Sequence, residues 1–392
     1  MLLVDGRNSL PSLRLSLRAL GNERNIQPTD ALRAQLDRGT VARTTLSFYR
    51  YVHLADPLLL RNSLFTTWEA MGVLGRIYLA KEGVNAQLSV PTNMFQAFRD
   101  AVDVQAEFNG VPFKIAVEEE GTSFSKLIIK VRPKIVADGL ADEAYDTTNV
   151  GEHLDATTFN RRIEEGALVI DMRNNYECMI GHFEGAYLPK ADTFRGAIEE
   201  VKEVMTLRQR QGEGLPEVLL YCTGGIRCEK ASAYLRHHGF SNVGQLHGGI
   251  IDYARQIKAE GLTSKYKGQN FVFDGRLAER ITDDVVSTCT QCGTPNDRIT
   301  NCKQHCCNLL LVQCDACATK YANCCSPGCR EIHTLPEEVQ KQWRKGRGSA
   351  SAKSKAITDP EGLRDRIREE EELLALNGTL HPELTNLSSP SV

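Results

Sequence analysis

The chain has 392 residues, 41% of them hydrophobic, a formal net charge of -3 and 13 cysteines. That length predicts two or three domains with full cores. The small net charge excludes a global basic field, so a nucleic-acid surface would have to be local, and no apolar run reaches the ~18 residues of a membrane span.

Residues 1–40 are polar and irregular, with one helix expected over 29–36 and no function assigned. Arg7, Arg14, Arg18 and Arg24 sit in a leucine-rich stretch. It lacks a continuous apolar core and a small-residue cleavage site, so no secretory signal is expected, and an organelle transit peptide is the minor alternative.

A compact unit is predicted from Arg43. TTLSFYRYV reads as a strand, and Asp56-Pro57 opens a helix to about Met71, with proline where a missing N–H costs little. GRIYLA and NAQLSV follow as strands joined by KEGV. A helix over about 94–102, the strand FKIAVEE and a last strand LIIKV complete a β-α-β-β-α-β order with one strand added, the split βαβ arrangement of ferredoxin-like, acylphosphatase-like domains. Lys126, Lys130, Arg132 and Lys134 in KLIIKVRPK share parity, so an extended strand would place them on one face. Such a face suits phosphate contact. It equally suits an edge strand that uses lysine against aggregation, and Glu118–Glu120 nearby makes the surface mixed.

From about Asn149 strands and helices alternate, which predicts a parallel sheet covered on both faces. ALVIDMR, EVLLYC and NVGQLHG are the strands. The helices are expected over 192–205, 229–238 and 250–260. EVLLYC ends at Cys222, and a helical pattern resumes at Cys228, so TGGIR lies between a strand and a helix. There a thiol meets unpaired helix N–H groups, partial positive charge and Arg227, all of which lower its pKa. Gly224 and Gly225 lack Cβ atoms and let several amides converge on one anion or charged sulfur. The loop residues Thr223, Gly224, Gly225, Ile226 and Arg227 are therefore candidates for anion or oxyanion binding around Cys222, the candidate nucleophile. Cys228 is either a partner that resolves oxidised Cys222 or a packed residue of the first helical turn.

CTGGIR resembles the active-site loop of rhodanese sulfurtransferases. Asp171-Met172-Arg173, GHFEGA (Gly181 to Ala186) and LHGGIIDYA (Leu246 to Ala254) resemble further motifs of that family, with Glu184 where the family carries proline. Cys222 to Arg227 encloses four residues, the sulfurtransferase loop length and one fewer than in rhodanese-like phosphatases, so phosphatase chemistry ranks below sulfur or oxygen chemistry. Asp171 and Arg173 are expected as an ion pair supporting the loop. His182 and His247 fall in turn motifs and are read as structural.

Ten cysteines are crowded between Cys289 and Cys329, which points to a reduced compartment and a metal rather than to disulfides. Repeated C-x-x-C directs two thiolates at one tetrahedral ion, so eight ligands make two zinc sites. The simplest pairing joins Cys289, Cys292, Cys314 and Cys317 around one ion and Cys302, Cys307, Cys325 and Cys329 around the other. Cys306 in place of Cys307, Cys324 in place of Cys325, sequential pairing and an iron–sulfur cluster remain the alternatives. After His333 come charge runs. Two exposed helices, Pro336 to Arg344 and Pro360 to Leu376, are expected either side of GRGSASAKSK, with REEEELLAL a solvated face and no chemistry assigned.

The predicted domains are thus a 1–40 extension, a ferredoxin-like domain over 41–145, a rhodanese domain over 146–268, a cysteine-rich segment over 269–332 and a charged tail over 333–392. The three-part order, with RTTLSFYRYVHLADP, LAKEGVNAQLSVP, YCTGGIRCEKASAYL, NFVFDGR and CCSPGC, resembles the oxygen-dependent tRNA uridine(34) hydroxylases, the TrhO family. The resemblance implies a cytoplasmic enzyme that converts wobble uridine of tRNA to 5-hydroxyuridine with molecular oxygen as co-substrate and no nucleotide cofactor. Its partner is tRNA, with no membrane association. A thiosulfate or persulfide sulfurtransferase is the rival reading that the loop alone supports.

Overall fold

A computed structural model describes residues 42–117, 123–141, 144–211, 216–345 and 356–382. The helix expected over 29–36, Glu118–Glu120 and all of GRGSASAKSK lie outside these residues. The chain forms two compact units, the first ending at Leu140 and also taking in Phe273–Arg276.

The first unit runs β1 (Arg43–Tyr51), α1 (Pro57–Ala70), β2 (Leu74–Ala80), β3 (Gly83–Pro91), α2 (Phe95–Val104), β4 (Lys114–Ile115) and β5 (Leu127–Val131). Asp56 caps α1 by accepting from the amides of Leu58 and Leu59 at 3.0 and 2.9 Å, and Pro57 takes the first helical position. The sheet order is β4-β1-β3-β2-β5. The central pairs are antiparallel, and β5 joins the edge parallel to β2. Fully buried Trp68 of α1 packs against Phe48 of β1 and against fully buried Phe98 of α2 in one core. Of the strand expected over FKIAVEE, the described residues form Lys114–Ile115, paired antiparallel with β1. At residues 273–276 the Gly275 amide donates to the Ser123 carbonyl at 2.7 Å.

The second unit begins with β6 (Glu152–Leu154), α3 (Ala156–Glu164), β7 (Leu168–Asp171), α4 (Asn175–Cys178), β8 (Gly181–Phe183) and α5 (Phe194–Arg210). It continues through β9 (Val218–Tyr221), α6 (Ile226–His237), β10 (Val243–Leu246) and α7 (Gly249–Glu260). The sheet β6-β10-β9-β7 is parallel throughout and β9 is interior. All four β9 residues are buried, as a strand covered on both faces requires. Leu219 and Tyr221 share a core with Phe159 of α3 and Tyr253 of α7. Val218 and Leu220 alternate to the other face, and there α6 packs on the sheet and against α5. A side sheet β12-β11-β8 adds β11 (Tyr266–Phe271) and β12 (Ala278–Arg280).

The cysteine-rich part follows in the same unit, with the hairpin β13 (Ile299–Asn301) and β14 (Leu310–Val312), then α8 (Asp315–Lys320), α9 (Pro327–His333) and α10 (Glu337–Arg344). After a single 3-10 turn over Ala356–Thr358 comes α11 (Pro360–Asn377). Over REEEELLAL this last helix is largely exposed, as its charge run predicts, but its first half is anchored. Leu363 and Ile367 are buried in the same cluster as Cys289, Cys302, Cys317, Cys324 and Cys325. No helix among the described residues is long and apolar enough to cross a membrane.

Candidate active site and cysteine clusters

The β9 hydrogen-bond ladder stops at Tyr221, and the chain turns through Cys222-Thr223-Gly224-Gly225 into α6. Gly225 is the helix N-cap at φ +94°, a conformation that a Cβ would strain. The turn folds the loop over the sulfur, so that the Gly225 amide donates to Cys222 Sγ at 3.1 Å. Cys222 is fully buried. Burial by itself would raise its pKa. The Cys228 thiol, the charge of Arg227 and the amides of Arg227 and Cys228 all favour the thiolate and outweigh burial, bringing Cys222 down to about 6. Burial, and then its contact with Cys222, push Cys228 well above the ordinary thiol range, so Cys228 is the donor of the pair.

Arg227 does not point freely into the loop. Its Nη1 and Nη2 donate to the two carboxylate oxygens of fully buried Glu177 at 2.7 and 2.9 Å, and Nη2 also donates to Thr223 Oγ1 at 3.2 Å. Burial opposes the guanidinium charge, but Glu177 more than offsets it, so Arg227 is held above its ordinary range. Glu177 is itself fixed by a capping box at the start of α4, where its carboxylate accepts from the Asn174 amide at 3.0 Å. Sequence reading missed Glu177. The available signal was a capping-box spacing, Asn174 to Glu177, just beyond Asp171-Met172-Arg173.

Asp171 and Arg173 form a fully buried pair, with Nη2 2.6 Å from Oδ2. Arg173 also donates to the Gly181 carbonyl at 2.7 Å and to Tyr266 Oη at 3.3 Å, tying the end of β7 to β8 and β11. His182 Nδ1 lies 3.0 Å from the Cys178 carbonyl. The His247 amide donates to the Leu154 carbonyl at 2.8 Å. Gly249 presses directly on the loop. At φ +67°, a Cβ there would lie 2.5 Å from the Cys222 carbonyl oxygen and 2.8 Å from the Gly224 nitrogen. The amides of Ile250 and Ile251 donate to the carbonyls of Cys222 and Thr223 at 3.0 and 3.2 Å, so the first turn of α7 secures the loop from behind.

In the first unit, Lys126 precedes β5 and Lys130 is half-buried within it, whereas Arg132 and Lys134 lie beyond its end. Arg132 sits 5.6 Å from the Tyr78 ring, and Lys134 bonds buried Asp138 at 2.9 Å and the Leu140 carbonyl at 2.8 Å. The strand ends at Val131, so the shared face inferred from parity does not extend to Lys134, which is taken up by an internal ion pair.

The cysteine-rich part gathers two tetrads. The sulfurs of Cys289, Cys292, Cys314 and Cys317 lie within 4.8 Å of one another, as do those of Cys302, Cys307, Cys325 and Cys329. Sulfur pairs stand at 3.6 Å for Cys292–Cys314, Cys307–Cys325 and Cys325–Cys329. The Cys314 amide points at Cys289 Sγ (3.4 Å) and the Cys325 amide at Cys302 Sγ (3.3 Å), contacts that favour thiolates. These groupings can each hold one metal ion. Cys306 and Cys324 belong to neither.

Three family models match the chain: an acylphosphatase-like domain described as UPF0176 over residues 43–135, a rhodanese-like domain over 155–256 and a rhodanese C-terminal segment over 267–330. A tRNA uridine(34) hydroxylase of Leptospira interrogans is 50% identical over 324 residues, 82% of this chain and 87% of that protein. One from Cronobacter sakazakii is 47% identical over 320 residues, 81% of this chain and 90% of that protein. Among solved structures, the rhodanese-like domain of an Anabaena protein matches at 24% identity, covering 30% of this chain and 78% of that one with a TM-score of 0.22. Identity of this order, carried through nearly the full length of both relatives, shows that the chain belongs to the tRNA uridine(34) hydroxylase family.

Proposed function

We propose that this chain hydroxylates C5 of the uridine at tRNA position 34, giving 5-hydroxyuridine with molecular oxygen as co-substrate and Cys222 as the reacting group. The observation that carries the reading is a buried cysteine, brought down to about 6 by its loop, in a chain of the hydroxylase family. C5 of uracil is a weak nucleophile until C6 is saturated. Addition of the Cys222 thiolate to C6 moves the C5–C6 electron pair into an enolate, which the loop amides stabilise. The C5 carbanion adds dioxygen, a two-electron thiol-type reductant cleaves the O–O bond to leave C5–OH and water, and loss of H5 with expulsion of Cys222 restores the ring.

The full burial of Cys222 favours a second role for the same residue, because small molecules reach a buried sulfur more readily than a nucleobase does. In that role dioxygen adds to the Cys222 sulfur to give a peroxidised sulfur, its outer oxygen passes to C5 with loss of H5, and a two-electron thiol-type reductant returns the remaining sulfenic acid to thiol with release of water. Nucleoside mass spectrometry of tRNA from a deletion strain complemented with wild type or Cys222→Ser tests both. 5-Hydroxyuridine is expected only with wild type, and retained modification in the variant overturns them. A covalent adduct with tRNA containing 5-fluorouridine separates C6 attack from oxygen carriage. Sulfide release from thiosulfate with unchanged tRNA nucleosides would point instead to a sulfurtransferase.

Each cysteine tetrad is proposed to hold one zinc ion. The 3.6 Å sulfur pairs are close to the edge, about 3.8 Å, of a tetrahedron with metal–sulfur bonds of ~2.3 Å. An iron–sulfur cluster would interpose several irons and sulfides and spread its thiolates further. Metal there supplies folding energy to a region otherwise poor in apolar core. A tRNA substrate and metal-binding thiolates support the cytoplasm as the working compartment.

A further inference from the structure

Four thiolates on one divalent ion leave a net charge of about -2, which a partly buried site must offset through surrounding donors. At the second tetrad one such donor comes from the tail. Arg366 of α11 directs Nη2 at Cys325 Sγ, 3.2 Å away. Cys325 is the central sulfur of its set, 3.6 Å from both Cys307 and Cys329. The arginine is held by its neighbours. Its Nε lies 3.6 Å from Glu370 Oε1, and Glu370 Oε2 accepts from the Gly328 amide at 2.7 Å, next to Cys329.

Other side chains of α11 fix the helix where Arg366 needs it. Leu363 and Ile367 are buried against the cysteine cluster. Arg364 Nε donates to the Thr290 carbonyl at 3.1 Å, between Cys289 and Cys292. Glu371 accepts from Tyr321 Oη at 3.0 Å and pairs with Lys320 at 2.8 Å. A helix merely floating on its charges would not show contacts of this kind from four of its residues.

We propose that Arg366 is a positioning residue for the second tetrad, and that α11 is a clasp that slows release of the metal from Cys302, Cys307, Cys325 and Cys329. The inference rests on reading both tetrads as metal sites. Outer-shell donors to metal ligands typically change metal affinity by about 10- to 100-fold. The charge of Arg366 draws electron density from Cys325 Sγ without displacing it as a ligand.

The test uses the full-length protein. Metal content by mass spectrometry is followed by release to a chromogenic chelator. Wild type is expected to carry two zinc ions per chain. Arg366→Gln is expected to lose one of them about 10-fold faster while the other leaves at the wild-type rate, and Arg366→Lys to recover part of the difference. In cobalt-substituted protein the sulfur-to-metal charge-transfer band of one site is expected to shift in Arg366→Gln. Unchanged release and an unchanged band, or equal acceleration of both ions, overturn the clasp while leaving the metal reading intact. Wild type without metal overturns both. If Arg366→Gln fails to fold, the band position and release rate of Arg366→Lys decide in the same way.

Discussion

At the scale of single residues, the ionisation of Cys222 follows from opposing effects whose balance the loop sets. Burial disfavours a thiolate, and the Cys228 thiol, Arg227 and two amides restore it. Held down to about 6, the thiol favours its ionised form at pH 7. Alkylation of Cys222, read against a Cys222→Ser control, is expected to rise through about pH 6 and then flatten. Cys228→Ala removes a donor to the thiolate, so the midpoint is expected to move upward, slowing alkylation near neutral pH but not at pH above the ordinary thiol range. Glu177→Ala leaves the Arg227 guanidinium buried without its carboxylate. Loss of one partner of a buried pair costs about 3–5 kcal/mol, measurable as a lower denaturant midpoint. Cys222 and its loop were legible in sequence because an apolar run, a glycine pair and an arginine are local signals. Glu177 was not, because it lies 50 positions from Arg227 and only the fold brings the two together.

At the scale of elements, β9 and α6 were readable from a four-residue apolar run and a following helical pattern, although α6 starts at Ile226, earlier than the expected Cys228. The four-residue α4 and the three-residue β6 and β8 were not read. Segments that short cannot display a period, and their pairing with β10 and β11 supplies the information that the sequence lacks. The charge run of α11 hid its role for a different reason. Only two of its side chains, Leu363 and Ile367, are buried apolar anchors, and among its charged residues Arg366 and Glu370 reach a thiol sulfur and an amide. The contact of α7 with the active loop gives its own test. Gly249→Ala places a Cβ 2.5 Å from the Cys222 carbonyl in a left-handed conformation. The loop must move to admit it, so hydroxylation is expected to fall steeply while the fold, followed by circular dichroism, persists.

At the scale of the whole molecule, the second unit holds two kinds of core. One is hydrocarbon, with Phe159, Leu219, Tyr221, Leu246 and Tyr253 around the parallel sheet. The other is built largely from thiols, with five cysteines among its ten buried members. The first is held by apolar burial, and the second has two sets of sulfurs placed to be held by metal. Chelation is therefore expected to raise amide hydrogen exchange across residues 289–333 and 360–377, while β7, β9 and β10 stay protected. Uniform loss of protection would show that the two cores are a single cooperative body.

The place of α11 in the chain gives the clasp a history as well as a shape. The helix follows every cysteine it touches, so a ribosome makes the second tetrad before it makes the cover. During elongation Cys302, Cys307, Cys325 and Cys329 can meet while Arg366 is still untranslated, and the nascent tetrad is open to ion exchange at that stage. Completion of α11 then turns a reversible site into a retaining one. Under the proposed clasp, the ion held when the last helix docks is the ion that the site keeps.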